Sequence, residues 1–326
     1  MRVLGRRLSL YVVTAWVAIT VNFLLPRMMP GNPLQQMIGK ATGAVTPQQV
    51  LATKLAFGLD LNQGLWAQYV GYWHQLFQGN LGVSLTLAAS VSSVLGQAVP
   101  WTVGLIGVST ILSFLLGTFS GALLGWFRGS RLDSVIPVAT FFQAVPYFFL
   151  GIVTVLVFGS TLHWFPVQGA YSQSVIPGWD WGFVASLLRY GQLPVITIVL
   201  SSVAGWMLGM RNMMVTMIAE DFVLMAVATG LPRRKVIMHA ARNAVLPSVA
   251  NLSLAIGLVV SGALLVELVF NYPGVGDLLL QAVLNEDYPL IQGIFLVITL
   301  TVLAANLLAD VFYFILDPRT RVEAAV

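Results

Sequence analysis

Long apolar runs alternate with shorter polar connections along the chain, and the run lengths predict its elements. Six stretches are close to the 20 or so mostly apolar residues that a helix needs to cross a bilayer: 8–25, 99–126, 135–160, 193–210, 251–269 and 291–314. Between the first two lies a long, moderately polar segment, 26–98, broken up by glycines. Between the fourth and fifth lies a polar, basic loop, 211–250. No internal repeat, low-complexity tract or linker divides the chain. The pattern predicts an all-α, polytopic membrane protein with six transmembrane helices in one domain, 1–326. The first stretch follows Arg2, Arg6 and Arg7 like a secretory leader. Its apolar core is too long for one, however, and Pro26-Arg27-Met28 offers no small-residue cleavage site, so it reads as a retained helix.

Composition agrees. The 326 residues are 58% hydrophobic and 9% charged, with a mean hydropathy of +0.86, against roughly 25% charged in soluble domains. Zero cysteines exclude disulfide scaffolds, thiolate metal sites and cysteine catalysis. The basic pI reports topology and gives no reason to expect nucleic acid as a partner. Of the sixteen Lys and Arg, the connections holding Arg2, Arg6, Arg7, Arg128, Arg131, Arg211, Arg233, Arg234, Lys235, Arg242, Arg319 and Arg321 fall on one side. Only Arg27, Lys40, Lys54 and Arg189 fall on the other. The positive-inside rule then places both termini and the 211–250 loop in the cytoplasm of a multi-pass plasma (inner) membrane protein.

The outer connections carry aromatic groups. Trp66, Tyr69, Tyr72, Trp73 and Phe77 recur at helical spacing in 26–98. They fit an amphipathic helix at the outer interface, or a docking surface for an external protein, and the two are compatible. Trp164, Trp179 and Trp181 read as an interfacial belt. The last outer connection holds Pro273-Gly274-Val275-Gly276 with Asp277, Glu286 and Asp287.

The cytoplasmic loop reads as a mechanical part. Helix formers run from Asn212 to Thr229, and Gly230 sits where a helix ends in a left-handed residue. Pro232 suits the start of the next helix, from about Arg233 to Val245, which stops near Pro247. Arg233, Arg234 and Lys235 crowd a first turn where the macrodipole disfavours cations. The positive-inside bias accounts for them, and so does an acidic partner; the hairpin geometry favours the partner. A small-residue helix with Ala226 and Ala228 would pack closely into a groove, and Gly230 permits the reversal without a Cβ clash.

Within the spans, Glu267 and Asp310 are the acids, and Glu267 is expected near the outer end of its helix, within reach of water. Asn22, Gln143, Asn306 and the Ser/Thr residues either line a polar path or link helices. Pro137 and Pro146, with Gln143 nearby, predict a kink in the third span that faces a pathway. Gln143, Pro146 and Glu267 are the pathway candidates.

Three chemistries find little support in the residues. A Walker A loop needs G-x-x-x-x-G-K-[ST]. Around Lys40, Leu34 replaces the first glycine and Ala41 the Ser/Thr, so any ATPase is a separate chain. Ion-driven secondary transport would want charged relays and inverted repeats, and neither is evident. For an intramembrane hydrolase, Gly82-Val83-Ser84 and Gly107-Val108-Ser109 are only fragments of a nucleophile motif, and HExxH is absent.

The segment 221–247, DFVLMAVATGLPRRKVIMHAARNAVLP, resembles the cytoplasmic coupling loop of ABC-importer permeases at Ala226, Ala228, Gly230, Leu246 and Pro247. Asp221-Phe222 and His239-Ala240-Ala241-Arg242-Asn243-Ala244 also agree. The likeness extends over nearly the whole chain to the first permease subunit of dipeptide/oligopeptide and nickel ABC importers. It includes Leu25-Pro26-Arg27-Met28-Met29-Pro30-Gly31-Asn32-Pro33, with Asn32 in place of the usual Asp, as well as Gly58-Leu59-Asp60 and Gln68-Tyr69. Gly79-Asn80-Leu81-Gly82-Val83-Ser84, Phe270-Asn271-Tyr272-Pro273-Gly274-Val275-Gly276, Asp287-Tyr288-Pro289 and Asp317-Pro318-Arg319 complete it. Val227 and Thr229 depart from it, standing where that family usually has basic residues, which bears on the choice of ATPase.

The resemblance implies a type I importer permease fold and an ATPase-coupling set of Asp221, Ala226, Ala228, Gly230, Leu231, Arg233, Arg234, His239, Arg242, Asn243 and Pro247. It implies a second similar permease, two ATP-binding cassette subunits carrying ATP and Mg, and an extracytoplasmic binding protein, with no cofactor on this chain. Peptides, oligosaccharides and nickel all remain open as cargo.

Overall fold

The computed structural model describes residues 2–28, 48, 64–84, 86–257 and 264–316. The Pro30–Pro33 signature, Lys40, Lys54, Gly58-Leu59-Asp60, Asp317-Pro318-Arg319 and Arg321 lie outside the described residues, as does part of the fifth apolar stretch. Among the described residues the fold is helical apart from one antiparallel pair, β1 (Val83–Ser84) with β2 (Ala89–Ser90), in the register Val83↔Ser90.

The helices in chain order are α1 (Arg2–Met28), α2 (Leu65–Phe77), α3 (Val91–Trp126), α4 (Val135–Ala144), α5 (Tyr147–Thr154), α6 (Trp181–Ile218), α7 (Asp221–Ala228), α8 (Arg233–Ala244), α9 (Leu246–Gly257), α10 (Leu264–Val269), α11 (Val275–Leu284) and α12 (Tyr288–Leu316). A π-helical segment, Val155–Thr161, continues α5. Among the described residues α3 and α6 are long and apolar enough to cross a membrane, and α4 with α5 makes a third if the bent pair is one span. Shorter apolar helices lie at Ser9–Leu24, Val275–Leu284 and Tyr288–Ala304.

The two long helices exceed their predicted lengths. α3 starts at Val91 rather than at 99, because Ser90 caps it by accepting a hydrogen bond from Ser93 N (3.3 Å). α6 starts at Trp181 rather than at 193, because Asp180 caps it through Phe183 N (3.1 Å). At 38 residues, α6 is about 57 Å long, against a hydrocarbon core of about 30 Å. Hydropathy finds only the part of a helix that lies in lipid, so both ends were missed. By the same measure Arg211, expected in the loop, is helical, and the chain leaves α6 only after Ile218.

The third stretch is bent by 97° between α4 and α5. Proline removes a backbone donor and pushes the preceding residue out of the helical region. Val145 is accordingly extended (ψ 126°), and Pro146 caps the next helix. Pro137, in the first turns of α4, breaks nothing.

α3 and α6 form the central pair. Gly117, Gly121 and Gly125 recur every four residues on α3, so they share one face. A Cβ on any of them would overlap α6, at Trp206 and Val203, at Met207 and Met210, or at Arg211 and Met214. Small residues at this spacing let membrane helices approach backbone to backbone. Ser113 and Ser202 extend the contact with a hydroxyl pair at 2.8 Å, and Thr154 with Thr197 (3.0 Å) joins α5 to α6.

Asn22, open between pathway and helix linker in sequence, links helices. Its Nδ2 donates to the Gln292 carbonyl (3.1 Å), and Gln292 Nε2 donates to the Asn22 carbonyl (2.6 Å), fastening α1 to α12. Tyr11 Oη donates to Asp310 across the same pair (2.8 Å). α2 packs on α1 through Tyr72, Phe23 and Ile19, leaving Trp66 and Phe77 exposed.

Candidate functional site

The hairpin α7–α8 hangs on the end of α6. α7 ends in Thr229, after which Gly230 takes φ +76°, in the left-handed region. Gly230 N–H donates to the Val227 carbonyl (3.0 Å) and Leu231 N–H to the Ala226 carbonyl (3.1 Å). These two bonds satisfy carbonyls that a helix end would otherwise strand, and Leu231 packs in the same apolar cluster as Ala226. Pro232 is the N-cap of α8, its carbonyl accepting from Lys235 N (2.8 Å) and Val236 N (3.2 Å). Pro247 lies in the first turn of α9 and does not end α8, a position that tolerates proline because its N–H would be idle there.

One face of the hairpin is fixed. Val236, Ala240 and Ala244 recur every four residues on α8 and bury against Met210 and Met214 of α6, with Val223 of α7. The alanines keep α8 close to α6. Ala122 and Trp126 of α3 join the cluster, so the hairpin rests on both long helices. Arg233 adds a cation–π contact, its guanidinium 5.2 Å from the centre of the Phe127 ring. Thus one cation of the expected partner-facing set is turned partly inward onto the chain itself.

The other face is uncovered. On α7, Phe222, Leu224, Met225 (66% exposed) and Val227 are exposed apolar side chains, with Ala228 beside them, and α8 adds Met238. Arg234, Lys235, His239, Arg242 and Asn243 are exposed along α8, and Asp221 opens α7. Asn243 Nδ2 donates to the His239 carbonyl (3.0 Å), so that amide serves its own helix. Leu224, Met225 and Met238 were not singled out in the sequence; the available signal was apolar residues persisting inside a polar loop. An exposed apolar patch of this kind marks an interaction surface, toward protein or membrane.

The other expected site residues lie apart from the hairpin. Gln143 and Pro146 are exposed at the α4–α5 break, with Gln143 Nε2 close beside Gly205 of α6. Glu267 was expected within reach of water and is instead fully buried (0% exposed). Its Oε2 accepts from Gly276 N–H (2.6 Å), and a Cβ on Gly274 would collide with the carboxylate. Thr102 Oγ1 of α3 accepts from Val275 N–H (2.8 Å). Two helices thus hold the start of α11. Burial, with Glu267 adjacent, pushes the Tyr272 phenol up to about 12. Burial also raises Asp277, which Gln281 partly offsets by donating to it (2.7 Å). Asp287 is buried too, accepting from Ser84 Oγ (2.5 Å), Thr86 N (3.2 Å) and Leu290 N (3.3 Å). Among the described residues no three His, Asp or Glu side chains converge on a metal-sized site.

Residues 113–322 match the family model of the binding-protein-dependent transport system inner membrane component. Over 98% of both chains, the sequence is 33% identical to the di/tripeptide transport system permease protein DppB of Pseudomonas aeruginosa (strain UCBPP-PA14). It is 30% identical, over 97% of both, to the dipeptide transport system permease protein DppB of Escherichia coli (strain K12).

Proposed function

This chain belongs to the family of binding-protein-dependent transport system inner membrane components, and from that membership we propose that it encloses half of a peptide importer's path, with α7–α8 as the part an ATPase moves. The relatives named for di- and tripeptides favour short peptides over oligosaccharides or nickel. In this reading the chain crosses the membrane six times with both termini cytoplasmic. A second, similar permease completes the path, and an external binding protein delivers the peptide. Two ATPase chains hold ATP and Mg, and this chain does no chemistry on the solute.

The observation that carries the proposal is the asymmetry of the hairpin. One face is locked to α6 and α3 through Val236, Ala240 and Ala244; the other offers Phe222, Leu224, Met225 and Val227 on α7, with exposed cations along α8. A part anchored to both long helices and bare on its far side transmits force. A groove closing on α7 would tilt the helices to which α8 is fastened. In this reading Gln143 and Pro146, exposed at the bend next to α6, line the path.

The test uses the whole importer, with partner permease, ATPases and binding protein, in proteoliposomes. Leu224→Asp with Met225→Asp buries two unpaired charges in the interface. Uptake of a labelled dipeptide should fall more than about tenfold, as for loss of an interface hot spot, and the ATPases should no longer co-purify, while the permease melts at its usual temperature. Undiminished uptake overturns the coupling role.

A further inference from the structure

A second concave site lies at the end of α6 away from the hairpin. A cavity of about 580 Å³ opens between the π-helical segment, the connection 162–180 and the first turns of α6, lined among others by His163, Ser172, Ser186, Arg189 and Tyr190. Its volume falls in the range of small-ligand sites.

Arg189 and Ser186 supply donors to the cavity. The Arg189 guanidinium has no hydrogen bond or ion pair among the described residues. Asp180, the acid preceding it on the same helix, is engaged in capping α6 through Phe183 N (3.1 Å). Ser186 Oγ accepts from Ser172 N–H (2.7 Å), which leaves its own proton to donate. His163 stands at φ +55°, a conformation that a non-glycine residue holds only when its surroundings impose it. Its Nδ1 faces the Thr161 carbonyl (3.1 Å); a carbonyl only accepts, so Nδ1 carries the proton, and Nε2 of the neutral ring is an acceptor that adds no donor to the site. An unpaired guanidinium flanked by hydroxyls fits a phosphate, whose oxygens match its fork of donors.

The depth of the site identifies the source of that phosphate. From Arg189 to Arg211 α6 carries no charged residue, and these 22 steps span about 33 Å, close to the thickness of the hydrocarbon core. The two arginines therefore stand at its two boundaries. Trp164 and Trp181, exposed beside the cavity in sequence, are the residue type enriched at that level. A group held there meets lipid headgroups first.

We propose that this cavity binds the phosphate headgroup of an anionic membrane phospholipid. The purified full-length chain is examined by native mass spectrometry with dioleoyl phosphatidylglycerol added, alongside Arg189→Gln and Arg189→Lys. The unmodified chain should retain one phosphatidylglycerol. Arg189→Gln should weaken retention about tenfold, the loss expected for one charge-assisted bond, and Arg189→Lys should recover part of it. Competition on the unmodified chain asks the same question without substitution: dioleoylglycerol, which lacks the phosphate, should fail to displace the bound lipid, and soluble glycerol 3-phosphate should fail as well. Equal retention by Arg189→Gln overturns the proposal, and so does displacement by dioleoylglycerol. Full displacement by glycerol 3-phosphate overturns the lipid source in favour of a free phosphate. Unchanged lipid retention with loss of binding-protein capture in Arg189→Gln overturns it in favour of a protein contact.

Discussion

The two ends of this helical bundle treat polar groups in opposite ways. At the α10–α11 end, Glu267 and Asp287 are buried; Glu267 accepts from one backbone N–H, of Gly276, and Asp287 from two, of Thr86 and Leu290. At the hairpin end the cations Arg234, Lys235 and Arg242 stand exposed, and apolar Leu224 and Met225 stand out beside them. A buried carboxylate without donors costs far more than an exposed one; Asp287 and one oxygen of Glu267 find donors within the first end, while Glu267 Oε1 is buried without a partner among the described residues. The second leaves its surface unanswered within the chain. Burial of a charge goes with architecture here, and the exposed apolar face of the hairpin is the one that the proposed function gives to a partner.

Substitutions can break that contrast. The largest effect is expected from Gly276→Val, because a Cβ there meets the Leu264 backbone, which cannot swing away, and Glu267 Oε2. Overpacking of this kind should cost about 3 kcal/mol or more, and the detergent-solubilised protein should lose its monodisperse peak in size-exclusion chromatography. A normal peak would mean that the α10–α11 unit yields more than its contacts allow. Next comes Glu267→Ala, which strands the Gly276 N–H and should lower stability by about 1–3 kcal/mol. Glu267→Gln keeps an acceptor there and should lose less, so a thermal melt that ranks Ala below Gln supports an architectural carboxylate. The smallest effect on stability belongs to the exposed face: Arg234→Glu should shift the unfolding free energy by no more than about 0.5 kcal/mol. Paired with dipeptide uptake by the assembled importer, it sharpens the contrast, since uptake should drop while the melt stays put. A large loss of stability with uptake intact would reverse the roles of the two ends.

How much of this was open to sequence follows from the range of each signal. The turn of the hairpin was legible because its cause is local: Gly230 and Pro232 act within a few residues, and both turn and helix start lie where expected; the break at Ala219–Glu220 within the expected 212–229 helix, and the place of Pro247 inside α9, were not. The break at Pro146 is local in the same way, although the size of the bend depends on packing. Helix lengths were underestimated because polar residues such as Gln97, Arg189 and Arg211 are helical beyond the apolar run. The burial of Glu267 was misjudged, since its partner Gly276 belongs to the next element and its wall, Thr102, lies on a helix far away in sequence. The glycines at 117, 121 and 125 stand at helical spacing in the sequence, but apolar content alone does not say which face of that helix meets another.

Those three glycines have a consequence for motion. With no compliant layer of side chains between α3 and α6 at these points, neither helix can slide along the other without steric collision, so the pair moves as a single lever. The hairpin packs on the same two helices, at Met210, Met214, Ala122 and Trp126, so a push on it is received by both at once.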